Sequence, residues 1–226
     1  MISDLKSAGL QKAAIDLHYL LNHGYPRKAS LELVGNRYDL TFDQRHLLHR
    51  GIFSDSDAKK RIKKKIPLQK LRNKKLAIDG YNVLITVEAA LCGRPLILSN
   101  DGFVRDISGL SGNFKKTGKT DEAIRLILDR IKNARPHHTL FLFDAPISKS
   151  GLLANEIREE LENGNLSGEA LAVKVPEKIL IGFPGIVATS DTAIIDQSQK
   201  VFDLAGHIIK DRIKPESLLT FKIIPT

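Results

Sequence analysis

Three aspartates stand where apolar runs give out: Asp79 at the end of "LAID", Asp144 at the end of "LFLFD" and Asp191 at the end of "IVATSD". A carboxylate in such a place has two readings. It caps the helix that follows, because Asp accepts hydrogen bonds from the first free amides of a helix. Or it is one of several carboxylates meeting in a crevice. Bare carboxylates brought together repel one another and raise each other's pKa, and a bound divalent cation removes that penalty. Hard oxygen ligands suit Mg²⁺ or Mn²⁺. On that reading Asp79, Asp144 and Asp191 are catalytic and metal-ligating. Asn82, three residues after Asp79, orients a ligand carboxylate or a phosphate. Asp121 and Glu122, opening the segment "TDEAIRLIL", and Asp196, five residues after Asp191, are supporting acids. Each of these also has a plain reading as a cap or a surface charge.

The elements that would carry these residues are legible as patterns. "KLAIDG", "HTLFLFDAP", "EALAVKV" and "GIVATSD" are short apolar runs rich in strand formers and bounded by turn residues. "TDEAIRLILDRIKNA", "GLLANEIREELENG" and "TAIIDQSQKVFDLAGHIIK" lie between or after them with helical periodicity, and "LLTFKIIP" reads as a last strand. Strands alternating with helices predict α/β architecture, with a mostly parallel sheet flanked by helices. Such sheets gather their chemistry at the carboxyl ends of the strands, where the three aspartates fall.

Residues 1–70 read differently, as a small helical domain without a strand pattern. "LQKAAIDLHYLLNHG" spaces Leu10, Ala14, Leu17 and Leu21 along one face and closes on Gly24. Pro26 starts a second segment, Thr41 is a good cap for a third that offers Phe42, Leu47 and Leu48 for packing, and Ser54 or Ser56 for a fourth. The expected division is 1–70 helical and 71–226 α/β.

The chain carries a formal charge of +9, but the stretch Lys59–Lys75 holds ten basic residues and no acid, which leaves the rest at −1. So dense a block is self-repelling and suits a polyanion. Lys59, Lys60, Arg61, Lys63, Lys64 and Lys65 are therefore expected to contact nucleic acid, and a solvated flexible linker is the competing reading. Arg105, Lys115, Lys116 and Lys119 are expected to hold flanking phosphates. "GNFKKTGKT" is not a P-loop: five residues, not four, separate Gly112 from Gly118. The histidine spacings suggest no metal site. One cysteine, Cys92, excludes an intrachain disulfide. The apolar runs are too short to span a bilayer, and residues 1–17 have no signal-peptide layout. The expectation is a cytoplasmic protein with nucleic acid, RNA in particular, as partner, and with homo-oligomerisation left open.

The "DGYN" turn resembles the first motif of PIN-like nucleases, especially the NYN branch, and "VATSDTAIID" resembles the late PIN motif, where a small residue or serine precedes a helix-opening aspartate. The resemblance covers roughly residues 74–211. It implies a PIN-like, Rossmannoid fold and a metal-dependent ribonuclease, with Asp79, Asp144, Asp191 and Asp196 as acidic-site candidates. The insertion from Cys92 to Thr120 and the "FDAP" run depart from that pattern. "ASLELVGNRYDLTFDQRHLLHRG" resembles the archaeal and bacterial family called domain of unknown function four-three-four, which implies the two-part architecture and no activity. Two other functions fit the same residues: a non-catalytic RNA-binding protein on a degenerate nuclease fold, and a metal-dependent small-molecule phosphohydrolase.

Overall fold

A computed structural model describes residues 7–107 and 114–223. Four helices come first. Helix α1 (Ala8–Asn22) starts at Ser7, whose side chain accepts from the Leu10 amide. Helix α2 (Arg27–Arg37) follows Pro26. Helix α3 (Phe42–Gly51) opens with a full capping box between Thr41 and Gln44, and α4 (Asp55–Lys64) is capped by Ser54. Leu10, Ala14, Leu17, Leu47 and Leu48 are buried as their spacing predicts, whereas Phe42 lies 77% exposed.

A short 3₁₀ turn (Leu68–Leu71) leads into β1 (Lys75–Asp79) and α5 (Gly80–Leu91). Then come β2 (Leu96–Leu98), β3 (Val104–Asp106), α6 (Gly118–Ala134), β4 (His138–Asp144), α7 (Ser150–Asn163), β5 (Gly168–Val173) and α8 (Pro176–Ile181). The order continues with β6 (Ile186–Ala188), α9 (Thr192–Gln197), β7 (Val201–Phe202), α10 (Leu204–Ile208), a π-type turn (Ile209–Ile213) and β8 (Leu218–Thr220). Five strands form one parallel sheet in the order β5-β4-β1-β6-β7. The fold is α/β with helices on both faces: Leu76 and Ile78 pack with α5 and α6, while Ala77, Leu142 and Val187 pack with Leu180 of α8 and Ile194 of α9.

Two parts of this architecture depart from the sequence reading. The segment read as one helix, "TAIIDQSQKVFDLAGHIIK", is α9, β7 and α10, because two residues of edge strand interrupt it. The expected last strand, β8, does not join the main sheet. It pairs with β2, and β2 with β3, in a second sheet built largely from the insertion. That small sheet completes the core of the helical region: Ile97, Ile107 and Leu219 pack with Leu10, Leu17, Val34, Leu47 and Ile52. The basic block is not a loose linker either. After α4 it lies along the sheet edge, with the Ile66 amide donating to the Val201 carbonyl at 2.9 Å.

Candidate acidic site

Register explains why the three aspartates face the same way. Asp79 pairs with Leu142, so Asp144 stands two residues further along β4 on the same face. Ala188 pairs with Ile78, which puts Thr189 level with Asp79 and Asp191 two residues beyond. The central strand β1 thus holds the deepest carboxylate, and its neighbours on either side hold two shallower ones. Gly80 lets α5 leave β1 this abruptly. A Cβ there would drive into the Phe143 ring and come within 2.8 Å of the Leu142 carbonyl.

Asp79 is buried at 9% exposure. It occupies the cap position of α5, yet its side chain makes no capping hydrogen bond, and the Asn82 amide has only a small stabilising effect on its charge. Instead it accepts from the Thr189 hydroxyl at 2.8 Å. No lysine or arginine pairs with it among the described residues. Its pKa is pushed up to about 7, by burial above all; the Thr189 hydrogen bond opposes the rise, and Asp191 and Asp144 add to it. Asp191, in contrast, is a cap as well as a site residue: its Oδ1 accepts from the Ala193 and Ile194 amides at 2.8 and 3.2 Å. Asp144 is partly exposed, and its pKa is raised by desolvation and then by Glu177 of α8. Asn82 fixes the loop after β6: its Oδ1 accepts from the Ser190 amide at 2.8 Å and the Ser190 hydroxyl at 3.0 Å.

The donor chemistry fits a hard divalent cation, because Asp79 is a buried anion without a cationic partner among the described residues. Among those residues, no three His, Cys, Asp or Glu side chains stand close enough to enclose an ion by themselves. A cation here would have one or two carboxylates from the protein, with water and substrate oxygens left to complete its shell, as Mg²⁺ prefers.

Several expected members are elsewhere. Asp196 is held by Arg61 at 2.7 and 2.8 Å, which pulls its pKa down. Asp121 pairs with Lys116 at 2.8 Å, and Glu122 with Lys119 at 2.7 Å. These acids neutralise local cations and do not reach Asp79. Arg105 is 2% exposed and gives both guanidinium nitrogens to Asp101 at 2.8 Å, with its Nε donating to the Ser190 carbonyl. It is a structural tie behind the site, not a surface phosphate clamp. Arg61 is buried, Lys64 donates to the Ile195 carbonyl, and Lys65 pairs with Asp203 at 2.9 Å while lying over the Phe103 ring. Lys59, Lys60, Lys63 and Lys115 are exposed as expected. Lys116 also bonds Glu156.

Sequence reasoning missed Thr189 as the partner of Asp79, although "VATSD" displays it. It also missed two cavities. One, of about 720 Å³, is lined by Tyr81, Phe114, Lys115, Lys116 and Lys149 among others. Tyr81 is 2% exposed, set edge-on to Phe114 and Phe143, and its hydroxyl has no partner among the described residues. The P-loop decoy's Gly112 lies outside the described residues.

A parallel α/β protein with aspartates at the carboxyl ends of three neighbouring strands and a helical N-terminal region is the class this geometry defines. Residues 68–207 match the family described as Domain of unknown function (DUF5616), and the chain belongs to it. Residues 9–64 match the family described as Protein of unknown function (DUF434). The chain is similar to "Uncharacterized protein MJ0935" of Methanocaldococcus jannaschii, 35% identical over 203 residues, which cover 89% of this chain and 97% of that protein. No solved structure matches. Among the described residues, no helix is long and apolar enough to cross a membrane.

Proposed function

We propose that the protein is a metal-dependent ribonuclease that hydrolyses RNA phosphodiester bonds at the crevice of Asp79, Asp144 and Asp191. The observation that carries this reading is Asp79. A buried carboxylate that neither caps its helix nor meets a cation, between two further carboxylates on the same sheet face, sheds the cost of its charge by taking up a proton or an ion, and with its pKa raised to about 7 an ion can displace that proton near neutral pH. The resemblance of "DGYN" and "VATSD" to PIN-like motifs supports the same chemistry. Asp79 and its neighbours would hold Mg²⁺ or Mn²⁺, and what such an ion supplies is activation of a water and neutralisation of charge on the scissile phosphate. Thr189 holds the Asp79 carboxylate in place, and Asn82 locks the loop that presents Asp191. The exposed Lys59, Lys60, Lys63 and Lys115 supply salt-sensitive contacts to the strand's phosphates.

The competing reading is a non-catalytic RNA-binding protein on the same fold. It is favoured by the engagement of Asp121, Glu122 and Asp196 with cations away from the crevice. Melting the parent and Asp79→Asn with and without Mn²⁺, and incubating both with single-stranded RNA, separates the two. The nuclease reading expects Mn²⁺ to raise the parent's Tm and the parent to cut RNA, with both effects lost in Asp79→Asn. A parent that ignores Mn²⁺ and leaves RNA intact across several metals decides for the binding protein.

A further inference from the structure

On the other side of Asp191 from the central strand lies a cavity of about 240 Å³, walled by Arg27, Arg50, Arg61, Arg105, His49 and Phe53 together with Asp57, Ser190, Asp191 and Thr192. Four guanidinium groups thus converge from helices α2, α3 and α4 and from β3. Three of them surround one ring: the guanidinium carbons of Arg27, Arg61 and Arg105 lie 4.5, 4.3 and 5.0 Å from the Phe53 centroid. Phe53 gives each a cation–π contact, but it adds no negative charge.

A structural role accounts for only half of this cluster. Arg105 and Arg61 share Asp101, and Arg61 also holds Asp196, so these two tie α4 and the Asp101 turn to α9. Arg50 reaches Asp106 only at 3.8 Å, and its buried Nε has no hydrogen-bond partner among the described residues. Arg27 meets only His49 and the Phe53 ring, and no carboxylate among those residues. Asp101, Asp106 and Asp196 do not line the cavity; Asp57 and Asp191 do. Around Arg27 the neighbouring cations Arg61 and Arg105 are opposed by Asp101 and Asp57. Arg27 is lowered to about 10 by burial, then by Arg61 and Arg105, and His49 to about 4 by burial, then by Arg27, so His49 is neutral. The guanidiniums of Arg27 and Arg50, on a cavity whose lining also includes Thr192, are donors that phosphate oxygens take.

We propose that this arginine cavity is a phosphate pocket that seats the terminal phosphate monoester of an RNA strand, so that the strand end is registered against Asp191 and the acidic crevice. That the ligand is RNA rests on the reading above; the anion pocket itself does not. A dianionic monoester answers Arg27 and Arg50, the two guanidiniums without a hydrogen-bonded carboxylate among the described residues, better than a diester in mid-strand, and it makes the protein a reader of strand ends. The test is binding of the full-length protein, in EDTA so that nothing is cut, to oligoribonucleotides carrying a 5′-phosphate, a 3′-phosphate or hydroxyls at both ends. One phosphorylated strand should bind at least tenfold tighter than the hydroxyl strand. Its advantage should vanish in Arg27→Gln and in Arg50→Gln, each checked for folding by its melting curve, and should largely survive in Arg27→Lys. Which phosphorylated strand gains tells the 5′ from the 3′ end. Equal binding of all three strands, or an advantage that both glutamine variants keep, overturns the proposal. Because no catalysis is measured, a phosphate preference stands even if Mn²⁺ neither stabilises the protein nor supports cleavage.

Discussion

At Asp79 the burial that marks the site also sets a pH dependence. Its carboxyl has an ordinary pKa of 3.8 and one of about 7 in the fold. Between those values the folded chain holds a proton that the unfolded chain has released, so stability contributed below pH 4 is lost as pH rises towards 7. His49, whose pKa burial lowers to about 4, gains stability over the same range and does so equally in both proteins, so the effect of Asp79 is read as a difference: relative to the parent, metal-free Asp79→Asn should gain Tm steadily from pH 4 to pH 7.5. Thermal melts in EDTA across this range check it, and parallel pH profiles for the two proteins would refute it. The three aspartates were legible because each closes an apolar run. The fates of Asp196 and Arg105 were not: Arg61 lies 135 residues from Asp196, and Ser190 lies 85 from Arg105. No local spacing announces such partners.

Among the elements, the tight passage from β1 into α5 is the one that fixes the crevice. Gly80 is required by the approach of β4, since an added methyl meets the Phe143 ring and the Leu142 carbonyl. Gly80→Ala should cost about 1–3 kcal/mol through overpacking, read by denaturant unfolding, and it should displace Asp79 enough to weaken any Mn²⁺ stabilisation. Full stability together with full Mn²⁺ response would show that the turn has room to spare. The long elements were readable from periodicity: β1, β4, α6 and α7 lie where the apolar pattern puts them. The short ones were not. Strands of two or three residues, as in β2, β3 and β7, complete barely one alternation, and β2 is further fixed by a distant partner, β8, with Leu96 opposite Leu218.

For the whole molecule, charge and topology matter together. The sequence showed one basic block; the fold divides it, burying Arg61, engaging Lys64 and Lys65, and leaving Lys59, Lys60 and Lys63 exposed. Reversing these three exposed charges should weaken RNA binding and reduce the slope of log affinity against log salt by about 2. A salt titration showing an unchanged slope would remove the block from the interface. The change from a helical N-terminal region to an α/β part was visible in the sequence, but the sharing of a core between them was not, because Leu219 and Ile97 give no sign in sequence of packing on Leu17 and Leu47. That shared core has a consequence for biosynthesis. As the chain leaves the ribosome, the helices at 8–51 are made first, yet part of their apolar core is completed only by Ile97 and Ile107 and, last, by Leu219, some 170 residues later. The N-terminal region therefore cannot settle before the α/β layer has formed and β8 has threaded alongside β2. Folding waits on a long-range closure, and the nascent helices are the part of this protein that a chaperone would meet.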